Sequence, residues 1–474
     1  MIKMDKGSFR DPGSRVYILH AEQDRCSSIL RGINDENLQI FKALEKELFY
    51  QRLLDERRIV KTRLRQPGST IVDTIFSNGW SGVLEHETLP FISYAYEWSF
   101  AMFRRAALLH LKILSDALEA GWILKDSSPY NIQFVGTSPI FIDIPSFVPW
   151  KEGDPWAGYR QFCCCFLIPL MIRSHLGIDH LPLMRSYLDG IPPVEAAKFF
   201  KGFSRLKSGV LSHVIFPAKV EKKLGALERD TVAATNRSNS KVNKHLVFAL
   251  VENLTRLVKS LDVTINHTDW SEYDKNNTYN EKAFDEKKRF VETFVSSKKH
   301  SCILDLGCNT GTFSKIASKH SDLVVAADAD HDTIQKLFLY ESQHSKYNNI
   351  IPLIINFANA SPDQGWAGHE RTAFDSRVKP DGILALALVH HIRISANIPM
   401  SMFLAWLRAF NCSVIIEFVD RKDEMVVKLL LNKSEKYLDY NREKFESEIK
   451  EFFLIKKRYD IKDAQRVLYH LEPK

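Results

Sequence analysis

The sequence predicts an α/β fold in the C-terminal half of the chain, built around an open and mostly parallel sheet, and an α+β domain in the N-terminal half. Two observations support this prediction. Apolar strand-like runs alternate with helical segments from about residue 266 onward, as parallel crossover connections require. Before them, short strand-like runs and a long helical stripe follow one another without that alternation. At 474 residues the chain is also too long for one ordinary domain.

The composition is that of a globular protein with enough apolar material for packed cores. Hydrophobic residues make up 45% of the chain and charged residues 26%. The net charge of +7 is small for this length, so it permits an acidic partner but does not require nucleic acid.

Neither a metal site nor a membrane span is expected from the sequence. The seven cysteines lack paired metal spacing, and Cys163, Cys164 and Cys165 would point in different directions on a helix. We expect small core residues in a reducing compartment. Residues 1–6 lack the apolar core of a signal peptide, and the longest apolar run, 162–172, is too short to cross a bilayer. The protein is therefore predicted to be cytoplasmic.

The elements of the N-terminal half are predicted from local periodicity. Residues 15–19 and 71–75 are short β-type runs, and residues 37–57 form a helical stretch. Residues 98–120 have apolar side chains at helical spacing, which predicts a long amphipathic helix. Its apolar stripe consists of Phe100, Phe103, Ala107, Leu111, Leu114 and Leu118. A polar loop, a strand pair at 132–134 and 140–142, and a buried helix near 160–175 are predicted next.

A basic segment separates the two halves. Residues 201–245 contain ten Lys or Arg against three Asp or Glu, and residues 247–260 have an amphipathic helical pattern. We interpret this charge as solvated surface, with a basic contact surface for substrate as the alternative. The predicted organisation is a domain at 1–185, a helical and basic connecting segment at 186–265, and a second domain at 266–474.

Strand-like runs recur through the C-terminal half. They lie at 302–306, 323–327, 351–355, 382–388, 413–418, 451–456 and 466–471. Helical segments separate the first five runs, which predicts parallel crossovers. The last two are joined by a short polar segment without room for a helix, which predicts a closing antiparallel hairpin.

The most informative motif is the run 303–313, which predicts a strand, a Gly-containing turn and a helix start. A second apolar run ends in Asp328, 23 residues after Asp305. A nucleotide-binding crossover needs small residues where backbone approaches the ligand and a carboxylate for the ribose hydroxyls. The spacing Asp-x-Gly-x-x-x-Gly differs from the dinucleotide fingerprint and lacks the Lys of a phosphate-binding loop. The alternative is a plain buried strand and turn.

This motif resembles motif I of the class I S-adenosylmethionine (SAM) methyltransferases, whose cofactor is a nucleoside without phosphate. The resemblance implies a Rossmann-like seven-stranded methyltransferase sheet and SAM as the cofactor. A longer set of residues, including 360–362, 381–392 and 416–419, resembles a subgroup of bacterial methyltransferase-domain proteins that includes nodulation-associated members.

The resemblance also implies cofactor-binding residues. Asp328 would accept hydrogen bonds from the ribose hydroxyls, although it could instead cap the following helix, a role open to Asp330 or Asp332. Asn356 stands where the family usually has an acid facing the adenine amine, and Phe357 would cover the adenine face. The full predicted set is Asp305, Gly307, Cys308, Asn309, Gly311, Asp328, Ala329, Asn356 and Phe357.

Three residues at the ends of the fourth and fifth strands are candidates for catalysis: His390, His391 and Glu417. Carboxyl ends of parallel strands face the ligand crevice, and a neutral imidazole is a suitable general base near pH 7. The histidines could equally pack or cap a helix, and proximity alone can support methyl transfer without a base. An entry segment that could close over the cofactor contains Trp270, Tyr273, Tyr279 and Lys287.

A second motif lies in the N-terminal half. Asp126 and Asn131 are five residues apart, and Asp143 follows twelve residues later on a short strand. This resembles the catalytic loop and metal-binding Asp of protein-kinase-like phosphotransferases. No Gly-rich loop and no clear strand Lys occur in residues 1–90, so we predict a degenerate kinase-like domain that binds substrate or acts as a scaffold. The alternatives are an active phosphotransferase and a turn that only hydrogen-bonds within itself.

The predicted function is SAM-dependent transfer of a methyl group to an oxygen or nitrogen nucleophile. A small-molecule or glycan acceptor is favoured, because the sequence lacks the Asn/Asp-Pro-Pro-Tyr/Phe motif and the cysteine pair of nucleic-acid methyltransferases. The alternatives are a kinase-like phosphotransferase that uses Asp126, Asn131 and Asp143, and a non-catalytic SAM-binding scaffold. Oligomeric state is not predicted.

Overall fold

The computed structural model describes residues 2–20, 26–230, 243–264, 281–431, 437–462 and 464–474. The chain divides into two compact units. The first unit comprises Met1–Phe134, Pro139–Thr264 and Asp363–Arg371. The second comprises Val135–Ser138, Ile265–Pro362 and Thr372–Lys474.

The first unit contains a five-stranded antiparallel sheet in the order β1-β2-β3-β5-β4. Its strands are β1 (Ile2–Met4), β2 (Ser14–His20), β3 (Cys26–Ile33), β4 (Thr62–Arg65) and β5 (Gly82–His86). The strand predicted at 15–19 is confirmed as β2. Two further strand pairs occur, β6 (Trp122–Leu124) with β9 (Phe147–Pro149), and β7 (Ile132–Val135) with β8 (Ser138–Phe141).

Helices make up most of the rest of this unit. They are α1 (Asp35–Leu44), α2 (Leu48–Asp55), α3 (Thr70–Ser77), α4 (Phe100–Glu119), α5 (Tyr159–Phe162), α6 (Ile168–Leu176), α7 (Leu181–Ser186), α8 (Pro193–Phe199), α9 (Phe216–Asp230) and α10 (Lys244–Ser260). The whole predicted apolar stripe of α4 is buried, which confirms that helix. The helical stretch predicted at 37–57 is interrupted, so that α1 and α2 each bury an apolar face of their own.

The prediction of a strand at 71–75 is wrong, because these residues form the helix α3. Ser69 caps this helix by accepting a hydrogen bond from the Val72 N–H at 3.4 Å. Val72 and Ile75 lie about one turn apart and pack with Tyr17 and other sheet residues in one buried cluster. Burial on one helical face therefore overrides the β propensity of the branched residues.

The second unit is an α/β fold with a seven-stranded sheet in the order β12-β11-β10-β13-β14-β16-β15. Its strands are β10 (Ile303–Leu306), β11 (Val324–Asp328), β12 (Ile350–Ile354), β13 (Gly382–Ala385), β14 (Ser413–Val419), β15 (Phe453–Asp460) and β16 (Arg466–Pro473). The first five are parallel, and β16 lies antiparallel between β14 and β15. The seven strands and the closing hairpin are confirmed.

Helices connect these strands, and β10 is the point where the strand order reverses. The helices are α11 (Glu281–Val295), α12 (Thr312–Ser318), α13 (His331–His344), α14 (Phe374–Arg377), α15 (Met400–Ala409), α16 (Glu424–Leu430) and α17 (Arg442–Phe452). Since β11 lies on one side of β10 and β13 on the other, the crevice at their carboxyl ends is a natural ligand site. In the part of the chain that the structure describes, no helix is long and apolar enough to cross a membrane.

Candidate functional site

A cavity of about 610 Å³ opens at the carboxyl ends of β10, β11, β12 and β13. Its lining comes from loops after these strands, from the start of α12 and from α11, all within the second unit. The lining residues are Phe284, Lys287, Asp305, Gly307, Cys308, Asn309, Thr312, Phe313, Asp328, Ala329, Asp330, Asn356, Phe357, Ala358, Leu386, Ala387, Leu388, His391, Ile392, Ser395 and Ala396. The volume is in the range of ordinary small-molecule sites.

The turn after β10 forms one wall of the cavity. Gly307, Asn309 and Gly311 have positive φ angles of 71°, 49° and 81°, which reverse the chain before α12. A Cβ on Gly307 would be in ordinary contact with Leu388, whose Cδ1 would lie 3.4 Å away, whereas a Cβ on Gly311 would lie 2.4 Å from Leu337 Cδ1. Gly311 does not line the cavity. A glycine is needed at this position because any side chain would collide with Leu337 of α13.

Asp305, at the base of this turn, is a buried carboxylate that faces the cavity. Its Oδ2 accepts a hydrogen bond from Ser314 Oγ at 2.6 Å. Burial raises the pKa of Asp305 to about 6, and the nearby Asp328 carboxylate adds to the increase. A cationic ligand beside it would favour the ionised form.

Asp328 at the end of β11 fixes the turn by two hydrogen bonds. Its Oδ2 accepts from the Asn309 N–H at 3.0 Å and its Oδ1 from the Asp330 N–H at 2.9 Å. Asp330 caps α13, since its Oδ1 accepts from the N–H groups of Asp332 and Thr333. The capping role that Asp328 could have had is therefore filled by its neighbour.

The opposite rim of the cavity follows β12. Asn356 is exposed, and its Oδ1 accepts a hydrogen bond from the Ala358 N–H at 3.0 Å. The ring of Phe357 is half-buried, with its centroid 6.2 Å from that of Trp406 and 6.4 Å from that of Phe374. Together they form a slot with one aromatic wall and a polar edge.

The two histidines after β13 differ in position. His391 lines the cavity, whereas His390 is buried behind it with a ring nitrogen, Nδ1, that has no hydrogen-bond partner. Burial and then the charge of Arg466 lower the pKa of His391 to about 4, so it is neutral at pH 7. Ala387 in the same loop has a φ of 51°, a left-handed conformation that costs a non-glycine residue about 1 kcal/mol or more.

Glu417 lies outside the lining, in a buried network of four charges. Its carboxylate is 2.7 Å from Lys287 Nζ and 3.4 Å from an Arg466 guanidinium nitrogen. Arg466 Nε also donates to Asp423 Oδ2 at 2.9 Å. Lys287 is the member of this network that reaches the cavity, where its Nζ lies 4.9 Å from the centre of the Phe313 ring.

Several of these residues were not predicted. Thr312 and Phe313 directly follow the turn of the motif, so the sequence contained a signal that they could line the site. Arg466 carries no such signal, because it is 49 residues from Glu417 and meets it only through the antiparallel pairing of β14 with β16. Of the predicted entry segment, Trp270, Tyr273 and Tyr279 lie outside the described residues.

The first unit brings part of its own motif together. Asp143 Oδ1 accepts from an Arg31 guanidinium nitrogen at 2.8 Å, and its Oδ2 accepts from Asn131 Nδ2 at 3.4 Å. Burial and then the charge of Asp143 raise the pKa of Asp126. Arg31, on β3, was not predicted to be in this cluster. Among the residues that the structure describes, no group of three or more His, Cys, Asp or Glu could hold a metal ion.

Comparison with known proteins gives one strong sequence match, and no family model matches the chain. Nodulation protein NoeA of Rhizobium meliloti (strain 1021) is 34% identical over 468 residues, covering 98% of this chain and 95% of that protein. The N-methyltransferase NodS from Bradyrhizobium japonicum WM9, solved with S-adenosyl-L-homocysteine, is 10% identical with a TM-score of 0.31, over 44% of this chain and 99% of that one. Magnesium protoporphyrin IX methyltransferase from Synechocystis PCC 6803, solved with SAM, is 12% identical with a TM-score of 0.29, over 43% and 90%.

Proposed function

The chain belongs to the family of nodulation protein NoeA, and from that premise we propose that its second unit is a SAM-dependent methyltransferase. The observation that supports this most directly is the pair of carboxylates, the buried Asp305 and the half-buried Asp328, on either side of the Gly-containing turn at the cavity wall. A nucleoside with a charged amino-acid tail fits such a wall. One carboxylate would serve the ribose and the other the cationic tail.

The nucleoside end of SAM is assigned to the rim formed by β11 and β12. Asp328 accepts backbone hydrogen bonds from Asn309 and Asp330, and a carboxylate has about four acceptor sites in all, so it can also accept from the ribose hydroxyls. Phe357 would lie against the adenine face. Asn356 and the backbone beside it would meet the adenine edge.

The methionine end is assigned to the floor of the cavity, where charges of opposite sign face each other. Lys287 would bind the carboxylate of SAM, because its Nζ is held in place by Glu417 at 2.7 Å and lies on the lining. Asp305 would face the ammonium group. A zwitterionic tail would therefore meet a charge of opposite sign at each of its ends, whereas a neutral ligand would leave the buried Asp305 carboxylate without a cationic partner from the ligand.

His391 is the proposed general base. It is the histidine on the lining, and its lowered pKa keeps an imidazole nitrogen free of a proton at neutral pH. The nucleophile, a hydroxyl or amine, would attack the methyl carbon of SAM and break its bond to sulfur. The nucleophile's proton would pass to His391, and S-adenosylhomocysteine would leave. A small molecule or glycan remains the proposed acceptor class.

Cofactor binding is tested by titrating the full chain with S-adenosylhomocysteine in a calorimeter. We expect one site per chain and an affinity at least about tenfold weaker in Asp328→Ala. The matched control is Asp322→Ala, because Asp322 precedes the same strand at its opposite end and is exposed in an ion pair with Lys299. The proposal fails if the wild-type chain does not bind, or if both variants bind like wild type.

The base is tested by transfer of labelled methyl groups from SAM to hydroxyl and amine acceptors. We expect His391→Asn to lower kcat by about a hundredfold or more, while its affinity for S-adenosylhomocysteine stays unchanged. An unchanged rate would mean that orientation alone supports the transfer. Binding without transfer to any acceptor would instead favour the non-catalytic SAM-binding scaffold.

A second candidate activity concerns the first unit, which we propose to be kinase-like. The contact of Asn131 with Asp143, beside a five-stranded antiparallel sheet, supports this proposal. Arg31 neutralises the carboxylate that would otherwise hold Mg²⁺, which favours a substrate-binding or scaffolding role over phosphotransfer. We expect no Mg²⁺-dependent binding of ATP. Such binding, if lost in Asp143→Ala, would establish a phosphotransferase site instead.

A further inference from the structure

Exposed apolar side chains are concentrated in one short part of the first unit. This part contains the 3₁₀ turn Gly202–Leu206, the π turn Leu211–Ile215 and the beginning of α9, and the two turns contact each other. Its exposed apolar residues are Phe203 (90% exposed), Leu206 (70%), Leu211 (43%), Phe216 (61%) and Val220 (55%). Single exposed apolar residues are ordinary, but a cluster of this kind marks a contact site. We call these five residues the 203–220 surface.

The 203–220 surface is a second apolar face on elements that already bury one. Leu211 and Phe216 are separated by about one turn of π helix, and Phe216 and Val220 by about one turn of α helix. The three side chains therefore lie on the same side of the helix. The opposite side of this helix is buried through Val214 and Ala218. A surface helix normally has polar residues where Leu211, Phe216 and Val220 stand.

Positive charge surrounds these apolar side chains. The exposed charged residues of the stretch 201–223 are Lys201, Arg205, Lys207, Lys219, Lys222 and Lys223. The one acid in this stretch, Glu221, is less exposed and is paired with Arg160 at 2.8 Å. Lys219 Nζ lies 5.9 Å from the centre of the Phe216 ring, so charge and apolar surface are interleaved.

We propose that the 203–220 surface docks the protein on an anionic lipid bilayer. At the headgroup boundary the five apolar side chains would reach the acyl region, while the lysines and arginines would face lipid phosphates. A bilayer surface satisfies both halves of this pattern. Nucleic acid would match the positive charge but would leave the aliphatic side chains in water. A second copy of the chain would cover the apolar residues but would bring its own positive charges against them.

The test is flotation of the full chain with vesicles of phosphatidylcholine, with and without phosphatidylglycerol. We expect binding to the anionic vesicles, loss of that binding at high salt, and binding at least about tenfold weaker for the double variant Phe203→Ser/Phe216→Ser. The charge variant Lys207→Glu/Lys223→Glu should be weakened similarly. All four positions are exposed, so the fold is expected to be retained, which thermal unfolding checks.

Matched controls come from α1, α2 and the loop between them. Leu48→Ser removes another apolar side chain that is 86% exposed, and Lys42→Glu/Lys46→Glu reverses two exposed charges elsewhere on the first unit. These controls should bind vesicles like wild type. The proposal is overturned if the wild-type chain binds neither kind of vesicle, or if controls and test variants lose binding equally. It is also overturned if the wild-type chain self-associates without binding vesicles and Phe203→Ser/Phe216→Ser abolishes that self-association. None of these outcomes bears on the proposed SAM site, which is tested separately by titration with S-adenosylhomocysteine.

Discussion

Asp305 combines a role in the proposed site with a cost to stability. Its carboxylate is buried and receives a hydrogen bond from Ser314, yet its pKa is raised to about 6 because burial disfavours the charged form. Above that pH the folded chain without ligand contains an ionised carboxylate that the unfolded chain would solvate better. A cationic ligand beside Asp305, as proposed for SAM, would offset that cost.

Asp305→Asn should make the unliganded second unit more stable at neutral pH and weaken its binding of S-adenosylhomocysteine. The folded pKa lies above the unfolded value of 3.8, so the cost that the variant removes is absent below pH 3.8 and complete above about 6. The shift corresponds to an upper limit of about 3 kcal/mol. Urea unfolding at about pH 7.5 and about pH 4.5 should show a clear gain only at the higher pH. Equal gains at both would contradict this account.

His391 should give the methyl-transfer rate an unusual pH profile. Because its pKa is lowered from 6.5 to about 4, the base is already unprotonated in slightly acidic solution. We expect kcat to be nearly constant from about pH 8 down to about pH 5.5 and to fall only below that. A rate that halves near pH 6.5 would mean that a histidine with an ordinary pKa, or a different group, is the base.

At the scale of elements, the two glycines of the β10 turn have separate roles. Gly307 faces the cavity with room beside it, while Gly311 lies under Leu337 of α13. Both have positive φ, so any side chain costs backbone strain at either position. Only at Gly311 does a methyl group also collide with the packed core.

Gly311→Ala should therefore destabilise the second unit more than Gly307→Ala does. Backbone strain costs about 1–2 kcal/mol at each position, and overpacking adds about 1–3 kcal/mol at Gly311. Gly307→Ala should instead weaken S-adenosylhomocysteine binding, since its methyl group enters the lining. Denaturant unfolding and calorimetric titration of both variants measure the two effects. Equal losses of stability would show that Leu337 moves aside.

The buried charge network also acts between elements. It joins β14, β16, α11 and Asp423, the residue that caps α16. Arg466 lies between Glu417 and Asp423, and Glu417 continues the network to Lys287. Asp423 accepts the Met425 N–H at the start of α16. Removing one member leaves a buried charge with too few partners.

Arg466→Met should cost the second unit about 3–5 kcal/mol of unfolding free energy. The matched control is Arg458→Met in the same hairpin, because Arg458 is half-exposed and pairs with Glu446 and Asp460 at the surface. The control should cost less than about 1 kcal/mol. If urea unfolding gives the same loss for both variants, the network is solvated and does not hold the hairpin.

At the scale of the whole molecule, each unit contains histidines that are buried in the neutral form. Burial lowers the pKa of His86 and of His110 in the first unit to about 3, and it lowers the pKa of His390 and His391 in the second. Protonation therefore favours unfolding in both units. Asp305 acts in the opposite direction, because its folded pKa is raised.

Both units should lose stability as the pH falls below 6.5. A histidine with a lowered folded pKa contributes its full stability above the unfolded pKa of 6.5, and this contribution declines until the folded pKa is reached. Calorimetric scans from about pH 7.5 to about pH 5 should show falling unfolding temperatures, with a smaller fall for the first unit in His110→Gln. A first unit that is insensitive to pH over this range would contradict the burial of His86 and His110.

The sequence by itself determined the elements of the second unit and the place of its turn. Strand periodicity, strand length and the short link before the last strand are local properties, and they sufficed to predict seven strands, a closing hairpin and the motif that ends near Asp328. The strand predicted at 71–75 failed because burial of one helical face, not propensity, decided its conformation.

Only the tertiary structure decided which side chains meet. Lys287, Glu417 and Arg466 come together because α11 passes the carboxyl end of a sheet in which β16 pairs with β14. Which of His390 and His391 lines the cavity, and the packing role of Gly311, depend equally on which neighbour lies across the fold. Local periodicity reflects backbone hydrogen bonding and burial within one element. The order of strands and the packing of helices set the contacts between elements, and the charges of the site depend on those contacts.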